Sequence, residues 1–308
     1  MLKTLHHIPT HLVLGFLGSG KTTAILHLLA QKPRHESWAV LVNEFGQVGV
    51  DGEIYQAAGI TVKEVAGGCL CCAVGLPFQV SVNQLLRQAR PDRLLIEPSG
   101  LGHPAQILKQ LLNDIAPNVL DVRATLCLLD PRHLQDKRYS RNESFIDQLA
   151  LADVLIANKT DLADCATMTE FYQWAESYRP KKALIVETQF GRLSPEWLNL
   201  SRNPERQAAF PTAHQDGGMI APNWQTLGWV YDANACFAYD KVMAVLQSLN
   251  AVRVKGVIKT EKGCFICNGA DQALTITACG TRSESRIELI TDRPMVGVKA
   301  ELEACLME

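Results

Sequence analysis

Between residues 11 and 187, short runs rich in Val, Ile and Leu alternate with longer amphipathic stretches. The runs at 38–42, 93–97 and 154–157 predict buried strands, and the stretches at 21–30 and 76–90 have the spacing of amphipathic helices. A repeated order of this kind is typical of βαβ units. The pattern therefore predicts an α/β fold, a mainly parallel sheet flanked by helices.

The order of elements changes after a stretch at 201–223 that is rich in Pro, Asn, Gln and Gly. Beyond it, several short strand patterns surround one helical stretch and precede a final one, which predicts a smaller α+β domain with an antiparallel sheet. We expect a first domain over residues 1–200, a linker over 201–225 and a second domain over 226–308.

Composition narrows the class of protein. With 47% apolar and 20% charged residues, the chain of 308 residues matches folded globular proteins and not disordered or collagen-like ones. Its 30 basic and 32 acidic residues leave a net charge of −2, so we expect no nucleic-acid partner. The start of the chain does not resemble a secretory signal, and no apolar run reaches the length of about 18 residues that a membrane span needs. We therefore expect a cytoplasmic protein without membrane contact.

A phosphate-binding loop follows the first predicted strand. The residues GFLGSGKT at 15–22 match the pattern G-x-x-x-x-G-K-[ST] and lead into a predicted helix. Lys21 would reach the β- and γ-phosphates, and Thr22 would ligate Mg²⁺. The predicted nucleotide contacts here are Gly15, Gly18, Ser19, Gly20, Lys21, Thr22 and Thr23. The glycine order G-x-x-G-x-G disfavours a dinucleotide site, and a plain glycine-rich turn is the remaining alternative.

A guanine-recognition motif follows a later strand. In the sequence NKTD at 158–161, a carboxylate on Asp161 could accept hydrogen bonds from the N1–H and amino groups of guanine, a donor pair that adenine lacks. Asn158, Lys159 and Asp161 are therefore predicted nucleotide contacts, and they favour GTP. Since Asn and Asp often end strands, the motif alone is weak and gains weight from the phosphate loop.

Two further strand ends carry acidic residues. Glu97, at the end of a predicted strand, could meet Mg²⁺ or its water, and Gly100 could offer its N–H to a γ-phosphate. With Lys21, they are our predicted catalytic residues. Glu44 lies in a similar position within NEFG at 43–46, which alone would indicate only a polar turn.

Three cysteines lie within four positions in the sequence GGCLCC at 67–72. Thiolates suit Zn²⁺ and Cu⁺, and Cys69, Cys71 and Cys72 are the predicted metal ligands. Three ligands are too few for a closed tetrahedral site, so the fourth position could belong to water, Glu44, His103 or a client protein. The alternative is that the cysteines are buried and reduced.

Cys264 and Cys267 suggest a second candidate metal site. Positions three apart in a strand point to opposite faces, and no other cysteine pair lies at zinc-ribbon spacing. We therefore favour a structural role for both cysteines.

The combination of motifs resembles the CobW-type, YjiA-like family of P-loop GTPases. The matching segments are GFLGSGKTT at 15–23, NEFG at 43–46, GGCLCC at 67–72, EPSGLGHP at 97–104 and NKTD at 158–161. The resemblance implies GTP hydrolysis linked to handling of Zn²⁺ or another transition metal, which is delivered to a client metalloprotein. It puts the metal site on Cys69, Cys71 and Cys72. The chain lacks the His-rich stretch of many members and has His103 where relatives often have an acidic residue.

We expect a slow GTPase that uses GTP and Mg²⁺, binds Zn²⁺ or another transition metal and delivers it; homo-oligomerisation stays open. Unassisted P-loop GTPases turn over at roughly 10⁻⁴ to 10⁻³ per second. One alternative is a GTP-dependent regulatory switch with structural or redox-active cysteines and no metal cargo. Another is a kinase-like P-loop enzyme that uses ATP.

Overall fold

The computed structural model describes residues 5–42, 50–57, 60–64, 76–101, 104–115, 118–208, 225–270 and 273–307. The chain divides into two compact units. The first comprises Met1–Glu44 and Ile60–Ala221, and the second comprises Phe45–Gly59 and Pro222–Glu308.

The first unit alternates strands and helices. In chain order its elements are β1 (Ile8–Gly15), α1 (Lys21–Ala30), β2 (Trp38–Val42), β3 (Thr61–Glu64), α3 (Leu76–Ala89), β4 (Arg93–Glu97), α4 (Pro104–Asn113), β5 (Leu120–Val122), β6 (Leu126–Leu129), α5 (Lys137–Ser140), α6 (Glu143–Leu151), β7 (Val154–Ala157), α7 (Cys165–Glu176), β8 (Leu184–Glu187) and α8 (Pro204–Ala208). The helix α2 (Val50–Ala57) belongs to the second unit.

The described strands of the first unit form an eight-stranded sheet. Its order is β3-β2-β4-β1-β6-β7-β8, with β5 also paired to β1, and every pairing is parallel. β2, β6 and β7 are buried along their whole length, as expected for strands with both faces covered. The predicted parallel α/β fold is therefore confirmed. Because all strands run the same way, the loops that follow them leave from one edge of the sheet.

The second unit contains an antiparallel sheet. Besides α2 its elements are β9 (Gln225–Tyr231), α9 (Tyr239–Ser248), β10 (Arg253–Thr260), β11 (Gly263–Ala270), β12 (Ala273–Cys279), β13 (Ser285–Thr291) and α10 (Val298–Glu303). The strand order is β12-β11-β10-β13-β9, and all neighbours are antiparallel. Residues such as Val254, Ile258 and Ile287 pack in one core with residues of α9 and α10. The predicted α+β fold of the C-terminal part, with an antiparallel sheet, is therefore confirmed.

Four elements were absent from the sequence prediction, one of them the short helix α5. α2 was not predicted, and it packs on β10 and β13 with Ile54 and Tyr55 buried. Its interior Gly52 and its short length weaken the helical signal. β5 has only three residues and was not predicted either.

The helix α8 lies inside the stretch that the sequence analysis assigned to a linker. Asn203 accepts a hydrogen bond from Glu205 N–H (2.9 Å), and the buried Arg206 pairs with the buried Asp153 (Nε–Oδ1 3.1 Å). These contacts make residues 201–208 part of the first unit. Within the described ranges, no helix is long and apolar enough to cross a membrane.

Candidate functional site

The glycine-rich loop at residues 15–22 joins the end of β1 to the start of α1. Helix α1 begins after Gly20, whose φ of 97° is left-handed and which has no side chain that could cap the first turn. A Cβ on Gly20 would lie 2.4 Å from Nδ2 of Asn158, so a larger residue does not fit. An uncapped helix N-terminus offers N–H groups and a positive dipole end to an anion. The loop therefore has the geometry of a phosphate site.

Two buried polar side chains line this loop. Lys21 donates from Nζ to the carbonyl oxygens of Gly15 (2.8 Å) and Phe16 (3.3 Å). Ser19 is also buried, and its hydroxyl has no hydrogen-bond partner among the described residues. A buried hydroxyl without a partner is costly, and a ligand oxygen would satisfy it. The ammonium group and the hydroxyl thus suit a polyphosphate.

An acidic side chain from the neighbouring strand reaches the same helix. The Thr22 hydroxyl donates to Oε1 of Glu97 at 2.9 Å, and both residues are buried. Thr22 is in the first turn of α1 and Glu97 ends β4. A hydroxyl and a carboxylate supply oxygen ligands that suit Mg²⁺. Thr23, the next residue of α1, is exposed.

The segment after β4 packs against the phosphate loop. A Cβ on Gly100 would lie 2.9 Å from Leu17 N, so this approach needs glycine. Gln148 of α6 links the two segments, because its Nε2 donates to Gly100 O (2.8 Å) and its Oε1 accepts from Gly15 N–H (2.9 Å). Sequence reasoning missed Gln148, whose only signal is a polar residue on the apolar side of a helix.

Asn158 holds the other end of the phosphate loop. Its Nδ2 donates to Ser19 O (2.8 Å), and its Oδ1 accepts from Gly191 N–H (3.1 Å). Asn158 follows β7 and Gly191 follows β8. The buried amide therefore joins the phosphate loop to the loops at the far side of the sheet.

Lys159 and Asp161 lie beyond Asn158 at the same edge of the sheet. Lys159 has a left-handed φ of 62°, and its Nζ is 3.7 Å from Oδ2 of Asp130. Burial alone would raise the pKa of Asp130, but hydrogen bonds from Arg132 and the nearby His133 and Lys159 hold this pKa below its usual value. An ionised Asp130 thus restrains Lys159. Asp161 is exposed, which leaves its carboxylate open to a ligand.

Phe190 is an exposed aromatic residue beside Gly191. Its backbone has a φ of 55°, a strained value for an aromatic residue, and the residue is 62% exposed. Such strain concentrates at functional positions. The loop is tied to the Asp161 segment, because Thr160 N–H donates to Thr188 O (3.3 Å). The sequence analysis did not identify Phe190, since a single Phe after a strand carries no pattern.

Thr22, the predicted Mg²⁺ ligand, lies in α1, but the predicted transition-metal ligands lie outside the described residues. These are Glu44, Cys69, Cys71 and Cys72, together with the alternative ligand His103. Across the described ranges, no three His, Cys, Asp or Glu side chains converge as a metal site would require. Cys264 and Cys267 lie on opposite faces of β11, and Cys267 is in the core with its Sγ 3.6 Å from Sδ of Met243.

Comparison with known proteins places the chain in one protein family. Residues 9–186, more than half of the chain, match the family described as "CobW/HypB/UreG, nucleotide-binding domain". The chain is 40% identical over 304 residues to the zinc chaperone YeiR of Escherichia coli, with 92% of each protein covered. It is 33% identical over 247 residues to the zinc chaperone CobW of Pseudomonas aeruginosa, covering 70% of this chain and 66% of that protein. The zinc chaperone YjiA of Escherichia coli is 28% identical over 165 residues, covering 52% of this chain and 51% of that protein.

We predict that Gln148→Leu lowers the free energy of unfolding by about 2–4 kcal/mol, because it leaves one buried N–H and one buried C=O without a partner. Urea denaturation measures the loss. The matched control is Gln110→Leu, since Gln110 is also buried but its Oε1 has no hydrogen-bond partner among the described residues. An equal loss in both variants would mean that the bridge contributes nothing specific.

We also predict that Phe190→Gly weakens GTP binding roughly tenfold, since stacking of an aromatic ring on a base is worth about 1–3 kcal/mol. Stability should stay the same or rise, because glycine adopts a positive φ without strain. Titration with a fluorescent GTP analogue measures the affinity, and thermal unfolding measures the stability. Phe190→Tyr, which keeps the ring, should bind normally; weakened binding in both variants would contradict the prediction.

Proposed function

Because the chain belongs to the CobW/HypB/UreG family, we propose that it is a GTPase that binds a transition metal ion, preferably Zn²⁺, and delivers it to a client metalloprotein. The observation that carries the proposal is the 2.9 Å contact between Thr22 and Glu97. It joins the phosphate loop to the end of β4, at the sheet edge from which the candidate metal ligands follow.

The order of strands supports coupling between nucleotide and metal. β3, β2, β4 and β1 are consecutive neighbours, and Val42 lies in register with both Glu64 and Glu97. Neighbouring strands are about 4.8 Å apart, so the ends of β3 and β4 are separated by about 10 Å. The segments with Glu44 and with the three cysteines begin directly after β2 and β3. The strand ends that precede these two segments, Val42 and Glu64, thus lie within about 10 Å of Glu97.

The triphosphate end of GTP would be bound by the phosphate loop. The Lys21 ammonium and the N–H groups of α1 neutralise the phosphate oxygens and orient the γ-phosphate. Thr22 and Glu97 would hold Mg²⁺, which neutralises phosphate charge when bound. Gly100, whose carbonyl accepts a hydrogen bond from Gln148, would offer its N–H to the γ-phosphate. These residues are the proposed catalytic set.

The base end would be recognised by the residues that follow β7. The Asp161 carboxylate accepts from the N1–H and amino groups of guanine, and adenine leaves it without donors. Lys159 and Asn158 position the loop around the base. Guanine selectivity follows from Asp161, and binding of ATP is disfavoured.

We predict that Asp161→Asn lowers GTP affinity by roughly 10- to 100-fold, because hydrogen bonds to a charged group are worth about 1.5–3 kcal/mol. Affinity for xanthosine triphosphate should rise, since the new amide can donate to its 2-oxo group. Competition binding with GTP, ATP and xanthosine triphosphate measures both. Asp164→Asn is the control: Asp164 caps α7 by accepting from Thr167 N–H (2.8 Å), and Asn caps equally well. Unchanged GTP binding by Asp161→Asn would refute this base contact.

We further predict that the full chain binds Zn²⁺ at least about fivefold more tightly with a non-hydrolysable GTP analogue than with GDP, as coupling between linked sites is typically 5- to 150-fold. Competition against a chromogenic chelator gives both affinities. The triple change Cys69→Ser, Cys71→Ser and Cys72→Ser should abolish tight Zn²⁺ binding. Cys165→Ser, at an exposed cysteine of α7, should preserve it.

Two results would contradict this proposal. Equal Zn²⁺ affinities with the two nucleotides would remove the coupling. Retention of tight Zn²⁺ binding by the triple variant would show that these cysteines are not the ligands.

A further inference from the structure

The hairpin of β11 and β12 places two cysteines opposite each other. Cys264 and Cys279 are paired in the antiparallel register, and both are free thiols. Directly opposite residues in such strands have Cα atoms about 4.5–5.5 Å apart. Disulfides span Cα distances of about 4.4–6.8 Å, so the backbone already has the required spacing.

The third cysteine of the hairpin lies on the other face of the sheet. Cys267 is fully buried in the core beside Met243. Burial, with a smaller effect of Cys279, raises the pKa of Cys267 to about 12, so this thiol stays protonated. The alternation of side chains along β11 therefore leaves Cys264 as the strand partner of Cys279.

The two paired thiols differ in access to solvent. Cys264 is 7% exposed, whereas Cys279 is only partly buried and lies on β12, the edge strand of the sheet. The neighbouring Thr277 of β12 is exposed as well. A small oxidant can therefore reach Cys279 first, with Cys264 behind it.

The surroundings of Cys279 hold its pKa above the usual value of a thiol, with burial as the largest cause. Burial and the neighbouring Cys264 raise the pKa of Cys279, while the charge of Arg282 and its hydrogen bond act in the opposite direction. Two thiolates this close repel each other, so the first proton is lost more easily than the second. Reaction with an oxidant needs one thiolate at a time.

We propose that Cys264 and Cys279 are a redox-sensitive dithiol that a peroxide closes into a cross-strand disulfide. The Cys279 thiolate attacks one peroxide oxygen, the O–O bond breaks, and the leaving oxygen takes up a proton as water. The Cys264 sulfur then attacks the sulfenic sulfur, and the hydroxyl leaves as a second water. In total, two thiols are oxidised by two electrons and one hydrogen peroxide is reduced to two waters.

Closure would join the edge strand β12 to β11 covalently. The disulfide encloses residues 265–278 in a loop, and such a cross-link restricts the unfolded chain. The second unit should therefore unfold at a higher temperature when oxidised. This reaction involves neither the nucleotide loop nor the cysteines at 69–72, so it is independent of the proposed function.

Peptide mapping of the full-length chain tests the proposal. The reduced protein is treated with hydrogen peroxide, the remaining thiols are alkylated, and the protein is digested with trypsin and Asp-N. Cleavage after Lys262 and Arg282 and before Asp271 separates Cys264 and Cys279 onto two peptides. We expect the two peptides to remain joined until a reductant is added, and we expect an upward shift in Tm on oxidation.

Two single variants identify the sulfurs. Cys267→Ala should still give the joined peptides, whereas Cys264→Ser should lose both the joined product and the Tm shift. Separate peptides in the unmodified chain, at a peroxide dose that oxidises the exposed Cys165, would overturn the proposal. Joined peptides in Cys264→Ser, or their absence in Cys267→Ala, would overturn it equally, because Cys267 would then be the reacting thiol.

Discussion

Two buried carboxamide side chains hold the phosphate loop between the segments that follow β4 and β8. Gln148 joins Gly15 to Gly100, and Asn158 joins Ser19 to Gly191. A carboxamide carries a donor and an acceptor on separate atoms, so one side chain can satisfy a backbone C=O on one segment and an N–H on another. Because these bridges are buried, a shift of either segment leaves polar groups unpaired and the loop must respond.

These bridges give a physical basis for coupling between the segments that follow different strands of the sheet. The segment after β4 includes Gly100, which lies against the phosphate loop so closely that a Cβ would not fit. Glu97, the last residue of β4, contacts Thr22 of α1. A movement of the phosphate loop or of Thr22 therefore acts on the end of β4, and β2 lies directly between β4 and β3. In the proposed function, coupling to a metal at residues 69–72 would use this short path.

The parts of the structure that the sequence predicts are those with local signals. The buried strand at 154–157 and the helix at 21–30 have the predicted bounds. Their apolar spacing lies within each segment, and the glycines that mark the start of the helix lie directly before Lys21. Gln148 could not be predicted, since its role depends on Gly15 and Gly100, both far away along the chain. α2 was missed for the same reason: its buried Tyr55 gains its environment from β10 and β13 of the C-terminal sheet.

Thiols can be brought together either by nearness in the sequence or by the fold, and this chain has one group of each kind. Cys69, Cys71 and Cys72 are close because they are near neighbours in sequence, which a motif search detects without a structure. Cys264 and Cys279 meet only because the ladder of β11 and β12 aligns them, and the sequence analysis had considered Cys264 with Cys267 instead. In the proposed function, the three neighbouring thiols would bind one metal ion and release their protons to solvent on binding. The cross-strand pair supplies only two sulfurs at a spacing set by the backbone, which suits a covalent bond between them better than a tetrahedral metal site. The two groups of thiols are thus suited to different chemistry.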